Sequence, residues 1–195
     1  MKAVFVNYCH PDIAHVCGLR AGRFAQAMAD RGHQVVVLCA NLPGGKDAFA
    51  DSDLAAGIES HDWRQPFILP CSSLGYDWAR EAREGAVPAG RRHAAIAWSY
   101  LKLSGMFPDW QAGAAPYLDT LAQAFKPDVV WGTFGNTDTW RLAQRLAAAA
   151  NCPWIGDFKD SWRRFLPSGL AHLMARRFRN MDHMTTLSEG YCDEA

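Results

Sequence analysis

The sequence lacks the features that mark several large classes of protein. Its 20 basic residues are balanced by 20 acidic ones, so no excess positive charge points to a nucleic acid partner. No apolar run reaches the roughly 18 residues that a membrane-spanning helix needs. No leader-like segment precedes the first apolar run, so we expect a cytoplasmic protein. With 49% hydrophobic and 21% charged residues, the composition is typical of a globular protein that buries a core.

The cysteines also lack an ordered pattern. None of the six forms a CxxC pair, and we therefore expect free thiols in a reducing compartment rather than a disulfide framework. Cys9, His10, His15 and Cys17 lie close together in the first loop. Their spacing fits no standard zinc pattern, so the expectation is that no metal is bound.

A third absence concerns the glycines. No GxGxxG motif follows the first apolar run, which argues against a nicotinamide-dependent enzyme. Short apolar runs instead alternate with segments of helical periodicity, and this alternation predicts an α/β fold with a doubly wound, mostly parallel sheet. The runs lie at 3–6, 35–38, 66–70, 127–131, 153–158 and 183–187. The helical segments lie at 19–31, 91–106, 110–125, 139–150 and 169–180, and the pattern is weak between 41 and 90.

Two details of these helices can be tested in a structure. In the first helix, Leu19, Phe24, Ala27 and Met28 share a face that we expect to pack on the core. Gly32 is expected to end that helix. Ser188 is expected to begin a further helix after the last strand.

The strongest candidate site is the sequence PWIGDFKDSW, a short strand that leads into Asp157, Lys159 and Asp160. Ligands of open α/β sheets bind outside the carboxyl ends of the strands, so these residues are candidate catalytic groups. Strand alternation places Asp157 and Lys159 on one side and Asp160 on the other side or in the loop. The carboxylate of Asp157 or of Asp160 could act as a general base. Alternatively, Asp160 caps the following turn and pairs with Arg163 or Arg164.

Two loops offer candidate substrate contacts. The first loop carries His10 and Gly18, and Gly18 would let a ligand approach the backbone at a helix N-terminus. The loop after the fourth strand carries Gly135 and Asn136, which could present polar groups to a phosphate or sugar. Ordinary strand-to-helix turns favour the same residue types.

The segment 91–106 combines basic and aromatic residues. Arg91 and Arg92 precede Trp98, Tyr100 and Met106. This pattern suits a helix that rests on a membrane surface, and equally a helix buried against the sheet. We expect part of the surface from Arg91 to Phe107, with Trp110 beside it, to be exposed near the mouth of the binding cleft.

Several motifs together resemble the N-terminal half of a GT-B glycosyltransferase of the retaining family 4 type. They are the His-Pro loop with Gly18, ADRGHQV at 29–35, PDVV at 127–130, PWIGDFKDSW at 153–162 and the Asp-to-Ser-Glu step at 182–189. The resemblance covers nearly the whole chain and implies a Rossmann-like domain over residues 1–195. It also implies that a C-terminal nucleotide-sugar domain is not included.

The resemblance implies transfer of a sugar from a nucleotide-sugar donor to a hydroxyl acceptor, with retention and without a metal or other cofactor. The acceptor is lipid-linked in many relatives, which implies peripheral contact with the inner membrane face. This half is expected to be inactive alone. Many relatives carry a histidine where Lys159 stands. The alternative is a non-catalytic α/β domain that binds a phosphorylated or sugar-like ligand.

Overall fold

The computed structural model describes residues 1–46, 49–161 and 169–187. Six parallel strands form one sheet in the order β3-β2-β1-β4-β5-β6. They are β1 (Lys2–Val6), β2 (Gln34–Ala40), β3 (Phe67–Cys71), β4 (Val129–Thr133), β5 (Trp154–Phe158) and β6 (His183–Thr186). This order is that of a doubly wound sheet, and it confirms the predicted Rossmann-like α/β fold.

Helices cover both faces of the sheet. They are α1 (Val16–Ala29), α2 (Asp51–Ser60), α3 (Asp77–Glu84), α4 (Ala89–Trp98), α5 (Pro108–Thr120), α6 (Thr137–Ala150) and α7 (Ala171–Arg177). Short π-helical segments, Ser99–Leu103 and Leu121–Phe125, continue α4 and α5. Both α2 and α3 lie in the region where the sequence periodicity is weak. Of the helices in the described ranges, none is both long and apolar enough to cross a bilayer.

The core has two unequal parts because strand side chains alternate between the faces. The larger part contains Val4 and Val36 together with residues of α2, α5, α6 and α7. The smaller part contains Phe5 and Val37 and packs against α1. None of the five cysteines within the described residues forms a disulfide, as expected.

The buried face of α1 differs from the predicted one. Leu19 and Phe24 are 49% and 48% exposed, and the buried residues are Gly18, Ala21, Ala25 and Ala29. Small residues allow the helix backbone to approach its neighbours closely. At Gly18, a Cβ atom would overlap the backbone carbonyl oxygen of His10. The prediction was wrong for Leu19 and Phe24, because the close contact requires small residues, whereas Met28 does pack against the smaller part of the core.

The predicted role of Gly32 is confirmed. Its φ of +79° is in the left-handed region, and its N–H donates to the carbonyl of Ala29, 2.8 Å away. Gly32 therefore adopts the left-handed conformation that ends helix α1 and leads the chain towards β2. Ser188, the predicted start of a further helix, lies outside the described residues.

The segment 91–106 is only partly buried. Tyr100 is buried, whereas Trp98 is 55% exposed and no residue of α4 is buried. The Lys102 ammonium lies 5.3 Å from the centre of the Trp98 ring. The expected exposure of part of this segment is therefore present in the structure.

Candidate functional site

An open cavity of about 440 Å³ lies at the carboxyl edge of β1, β4 and β5. Four residues predicted from the sequence line it: Gly135, Asn136, Lys159 and Asp160. Cys9 and Cys17, from the first loop and the start of α1, line it as well. The carboxyl ends of parallel strands meet at one edge, and this brings residues distant in sequence into one site.

Lys159 is the most enclosed charged group of this cavity. It is 8% exposed, and its Nζ lies 2.6 Å from Cys17 Sγ and 3.1 Å from Asp160 Oδ2. Burial lowers the pKa of Lys159, but the contacts with Cys17 and Asp160 outweigh it and raise the pKa. Lys159 is therefore a fixed positive charge. The side chain of Asp160 is 33% exposed and remains accessible to a ligand.

The two cysteines have opposite electrostatic environments. A hydrogen bond from the Cys9 thiol lowers the pKa of Cys17 to about 5, and Lys159 adds to this effect although burial opposes it. The same hydrogen bond and burial raise the pKa of Cys9. The Lys159 ammonium next to Cys17 thus favours the thiolate form at Cys17 rather than at Cys9.

Three of the four residues considered for zinc come together. Donor atoms of Cys9, His15 and Cys17 all lie within 4.8 Å of one another. All three donors already have partners: Cys9 Sγ lies 3.7 Å from His15 Nδ1, His15 Nδ1 accepts the Cys17 backbone N–H, and Cys17 Sγ contacts Lys159. The absence of a resident metal stays a prediction.

The loop after β4 supplies polar groups to the cavity. The Asn136 side chain accepts the Thr139 backbone N–H at 3.2 Å and so caps α6. Thr133 also lines the cavity, and its buried hydroxyl has no hydrogen-bond partner among the described residues. A buried hydroxyl without a partner is costly, and a bound ligand would supply one.

His10 and Gly18 do not line the cavity. His10 is buried, and its Nδ1 accepts the Asp12 backbone N–H at 3.1 Å. Gly18 packs on the His10 carbonyl rather than facing a ligand. Their proposed contact with substrate stays a prediction, but the structure gives both residues a role in holding the first loop against α1.

Asp157 lines a second cavity, between α1 and the sheet, and does not line the cavity that contains Lys159. Its carboxylate receives two hydrogen bonds from Arg20, at 2.5 and 2.9 Å, and one from Thr185 at 2.8 Å. Strand alternation does not apply to Lys159, because β5 ends at Phe158. Asp157 and Lys159 nevertheless both contact residues of α1, Arg20 and Cys17 respectively, so the structure does not contradict the expectation that they lie on one side of the sheet.

Arg20 was not identified from the sequence. It is separated from Asp157 by 137 positions, and only the folded chain brings them together. The sequence offers only a weak signal, because Arg20 lies near the start of the predicted helix 19–31, two positions after Gly18.

An aromatic wall closes one side of the cavity. The ring centres of Tyr8 and Phe107 are 4.2 Å apart, and both residues line the cavity. The Arg83 guanidinium lies 4.5 Å from the centre of the Phe107 ring. Burial raises the pKa of Tyr8 to about 12, so its hydroxyl remains protonated. The cavity thus has one polar and one apolar side.

Comparisons with known proteins identify a family to which most of the chain matches. Residues 17–195 match the model of a family described as "Glycosyl transferase 4-like domain". A comparison with curated proteins gave no match. Among solved structures, the chain is similar to the crystal structure of CalG4, the calicheamicin glycosyltransferase, with 16% identity and a TM-score of 0.48. That similarity covers 93% of this chain and 38% of the other.

Proposed function

Because this chain belongs to the family of glycosyl transferase 4-like domains, we propose that it is the acceptor-side half of a GT-B glycosyltransferase. In this proposal the cavity at the carboxyl edge of β1, β4 and β5 binds the hydroxyl acceptor. The observation that carries the proposal is the convergence of Lys159, Asp160 and the unpartnered Thr133 hydroxyl on one open cavity.

The two sides of the cavity suit an acceptor with a polar head and an apolar tail. Thr133 and Asp160 can exchange hydrogen bonds with sugar hydroxyls. Tyr8 and Phe107 offer ring surfaces to an apolar group. This supports a lipid-linked acceptor.

Asp160 is our candidate for the group that accepts the proton of the attacking hydroxyl. Its carboxylate is partly exposed in the cavity, and Lys159 Nζ forms an ion pair with it at 3.1 Å. A positioned carboxylate of this kind typically contributes about 10²–10⁴-fold to the rate. Asp157 lacks this access because Arg20 and Thr185 occupy both of its oxygens.

The donor belongs to a second domain in this proposal. A nucleotide sugar would be held from that side, and its sugar would be transferred with retention and without a metal. We therefore expect the 195-residue chain to bind nucleotides weakly and to show no multiple-turnover transfer.

The test is a nuclear magnetic resonance titration of the ¹⁵N-labelled chain. The probes are a short-chain alkyl glycoside, below its micelle-forming concentration, and a nucleoside diphosphate. We expect the glycoside to shift the amide signals of Gly135 and Asn136, and the nucleotide to shift them little. Tight binding of the nucleotide or inorganic phosphate without glycoside binding would favour a non-catalytic ligand-binding domain. Multiple-turnover transfer by this chain would contradict the proposed division of labour.

A location at the inner membrane face is part of the same proposal. Arg91 and Arg92 on α4 are exposed, as is Trp98 at its end. Trp78 on α3 is also partly exposed and shares a small surface cavity with Ile96 of α4. Exposed basic and aromatic residues together favour reversible contact with an anionic lipid surface.

A further inference from the structure

Two thiols face each other at the wall of the cavity. Cys9 lies in the loop after β1, and Cys17 lies in the first turn of α1. Their sulfur atoms are within 4.8 Å of each other, and both side chains are partly exposed. A disulfide requires about 2.05 Å between the sulfurs, so a modest movement of the loop would join them.

The backbone already holds the two cysteines together. The side-chain amide of Asn7, which is buried, donates to the carbonyl of Cys9 at 2.7 Å and to that of Cys17 at 3.3 Å. Approach of the sulfurs therefore requires little reorganisation of the chain.

The surroundings of Cys17 favour its thiolate. The Lys159 ammonium is 2.6 Å from the sulfur, and the residue lies at the N-terminus of a 14-residue helix. Both features place positive charge next to Cys17 and stabilise a negative one. Cys17 lines the cavity, so its sulfur can attack a molecule that enters the cavity.

We propose that Cys17 and Cys9 form a reversible thiol–disulfide pair, in which Cys17 is the attacking sulfur and Cys9 the resolving one. The oxidant is a small-molecule disulfide of the glutathione type. The Cys17 thiolate attacks one of its sulfurs, forms a mixed disulfide and releases one thiolate. Cys9 gives its proton to that thiolate and attacks the Cys17 sulfur, releasing the second thiolate. Two protein thiols are thus oxidised, and one small disulfide is reduced to two thiols.

The disulfide would alter the polar side of the cavity. Cys17 would lose its charge, and Lys159 would lose the partner at 2.6 Å while keeping Asp160 at 3.1 Å. The consequence for acceptor binding rests on the function proposed above, but the thiol chemistry does not. The two can therefore fail independently.

The experiment treats the reduced chain with glutathione disulfide and follows thiol loss and linked peptides by mass spectrometry. The variants are Cys9→Ser and Cys17→Ser. Cys152→Ser is the matched control, because Cys152 is also partly exposed but does not line the cavity. Thermal unfolding of each variant shows whether it is folded.

We expect a Cys9–Cys17 linked peptide in the wild type and in Cys152→Ser. We expect Cys9→Ser to stop at a mixed disulfide on Cys17, and Cys17→Ser to form neither product at Cys9. Between pH 6 and 8 the rate of the wild type should change little, whereas an ordinary thiol would gain on the order of 100-fold.

Two results would overturn the proposal. One is the absence of the linked peptide in folded wild-type protein. The other is one equivalent of bound zinc that blocks the oxidation and is lost on substitution of Cys9, His15 or Cys17. That result would make the cluster a metal site.

Discussion

Arg20 of α1 and Asp157 of β5 form an ion pair that joins the first helix to the strand next to the edge of the sheet. Two hydrogen bonds of 2.5 and 2.9 Å join the guanidinium to the carboxylate. The Asp157 side chain is 1% exposed and that of Arg20 is 19% exposed. Removing either partner would leave the other as an enclosed charge with no opposite charge beside it, so this ion pair holds α1 against β5.

Asp157→Asn should therefore destabilise the fold. Removing one partner of a buried pair costs about 3–5 kcal/mol, and partial exposure of Arg20 reduces this to about 2–3 kcal/mol. The measurement is the free energy of unfolding in urea. The matched control is Asp77→Asn, which breaks the exposed pair between Asp77 and Arg80 and should change stability by less than about 0.5 kcal/mol. Unchanged stability together with lost turnover would return Asp157 to the catalytic role predicted from the sequence.

Asp160→Asn should act on function rather than on stability. The carboxylate is partly exposed, so we expect the free energy of unfolding to change by less than about 1 kcal/mol. In a transferase that includes this domain and its donor-binding partner, kcat should fall about 10²–10⁴-fold. Asp119→Asn is the control, because Asp119 is an exposed carboxylate on α5 away from the cavity. Full turnover of Asp160→Asn would remove Asp160 from the mechanism.

A buried carboxylate in α6 gives the fold a pH dependence. Asp138 accepts hydrogen bonds from the Met106 backbone N–H at 2.9 Å and from the Gln111 side chain at 2.5 Å. Burial raises its pKa from 3.8 to about 6 despite these bonds. The folded state therefore holds this proton more tightly than the unfolded state does. The stabilisation is fully present below pH 3.8 and is lost as the pH rises through about 6.

The corresponding test compares the wild type with Asp138→Asn from pH 4 to pH 7. The variant is uncharged throughout, so the wild type should lose up to about 3 kcal/mol relative to it over this range. Urea unfolding at each pH gives the difference. A difference that does not vary with pH would mean that Asp138 stays ionised in the folded protein over the whole range.

Contact with anionic lipid can be tested by co-sedimentation with vesicles. Charge reversal in Arg91→Glu/Arg92→Glu should weaken binding by at least about 2 kcal/mol, or roughly 30-fold in the partition coefficient. Arg176→Glu/Arg179→Glu is the control, because it makes the same change in charge at exposed positions on and just after α7. Equal loss in both variants would indicate a response to net charge rather than a surface on α4. No pelleting of the wild type would remove the membrane from the proposal.

Most of the strands could be predicted because they are compact apolar runs, as at Val35 and Val36, although β6 has the polar sequence HMTT. The cavity residues Lys159 and Asp160 could also be placed, because strand ends mark the binding edge of such a sheet. The face of α1 could not, because its packing depends on small residues such as Ala21 and Ala25. The partner of Asp157 could not either, because helix and strand periodicity describe neighbours in sequence and Arg20 is 137 positions away.

The middle of the sheet has a consequence for how the chain folds. In the strand order, β1 to β3 come from residues 2–71 and β4 to β6 from residues 129–186, so the two halves meet where β1 pairs with β4. Two hydrogen bonds join the halves at the start of this strand pair. Lys2 N–H donates to the Asp128 carboxylate at 2.7 Å, and Asp128 N–H donates to the Lys2 carbonyl at 2.8 Å. Pairing β1 with β4 closes the long loop between Val6 and Val129, and this closure costs entropy before the hydrogen bonds of the strand pair compensate for it. Each half can form from contacts nearer in sequence, and we therefore expect the joining of the two halves to be slow compared with the formation of each.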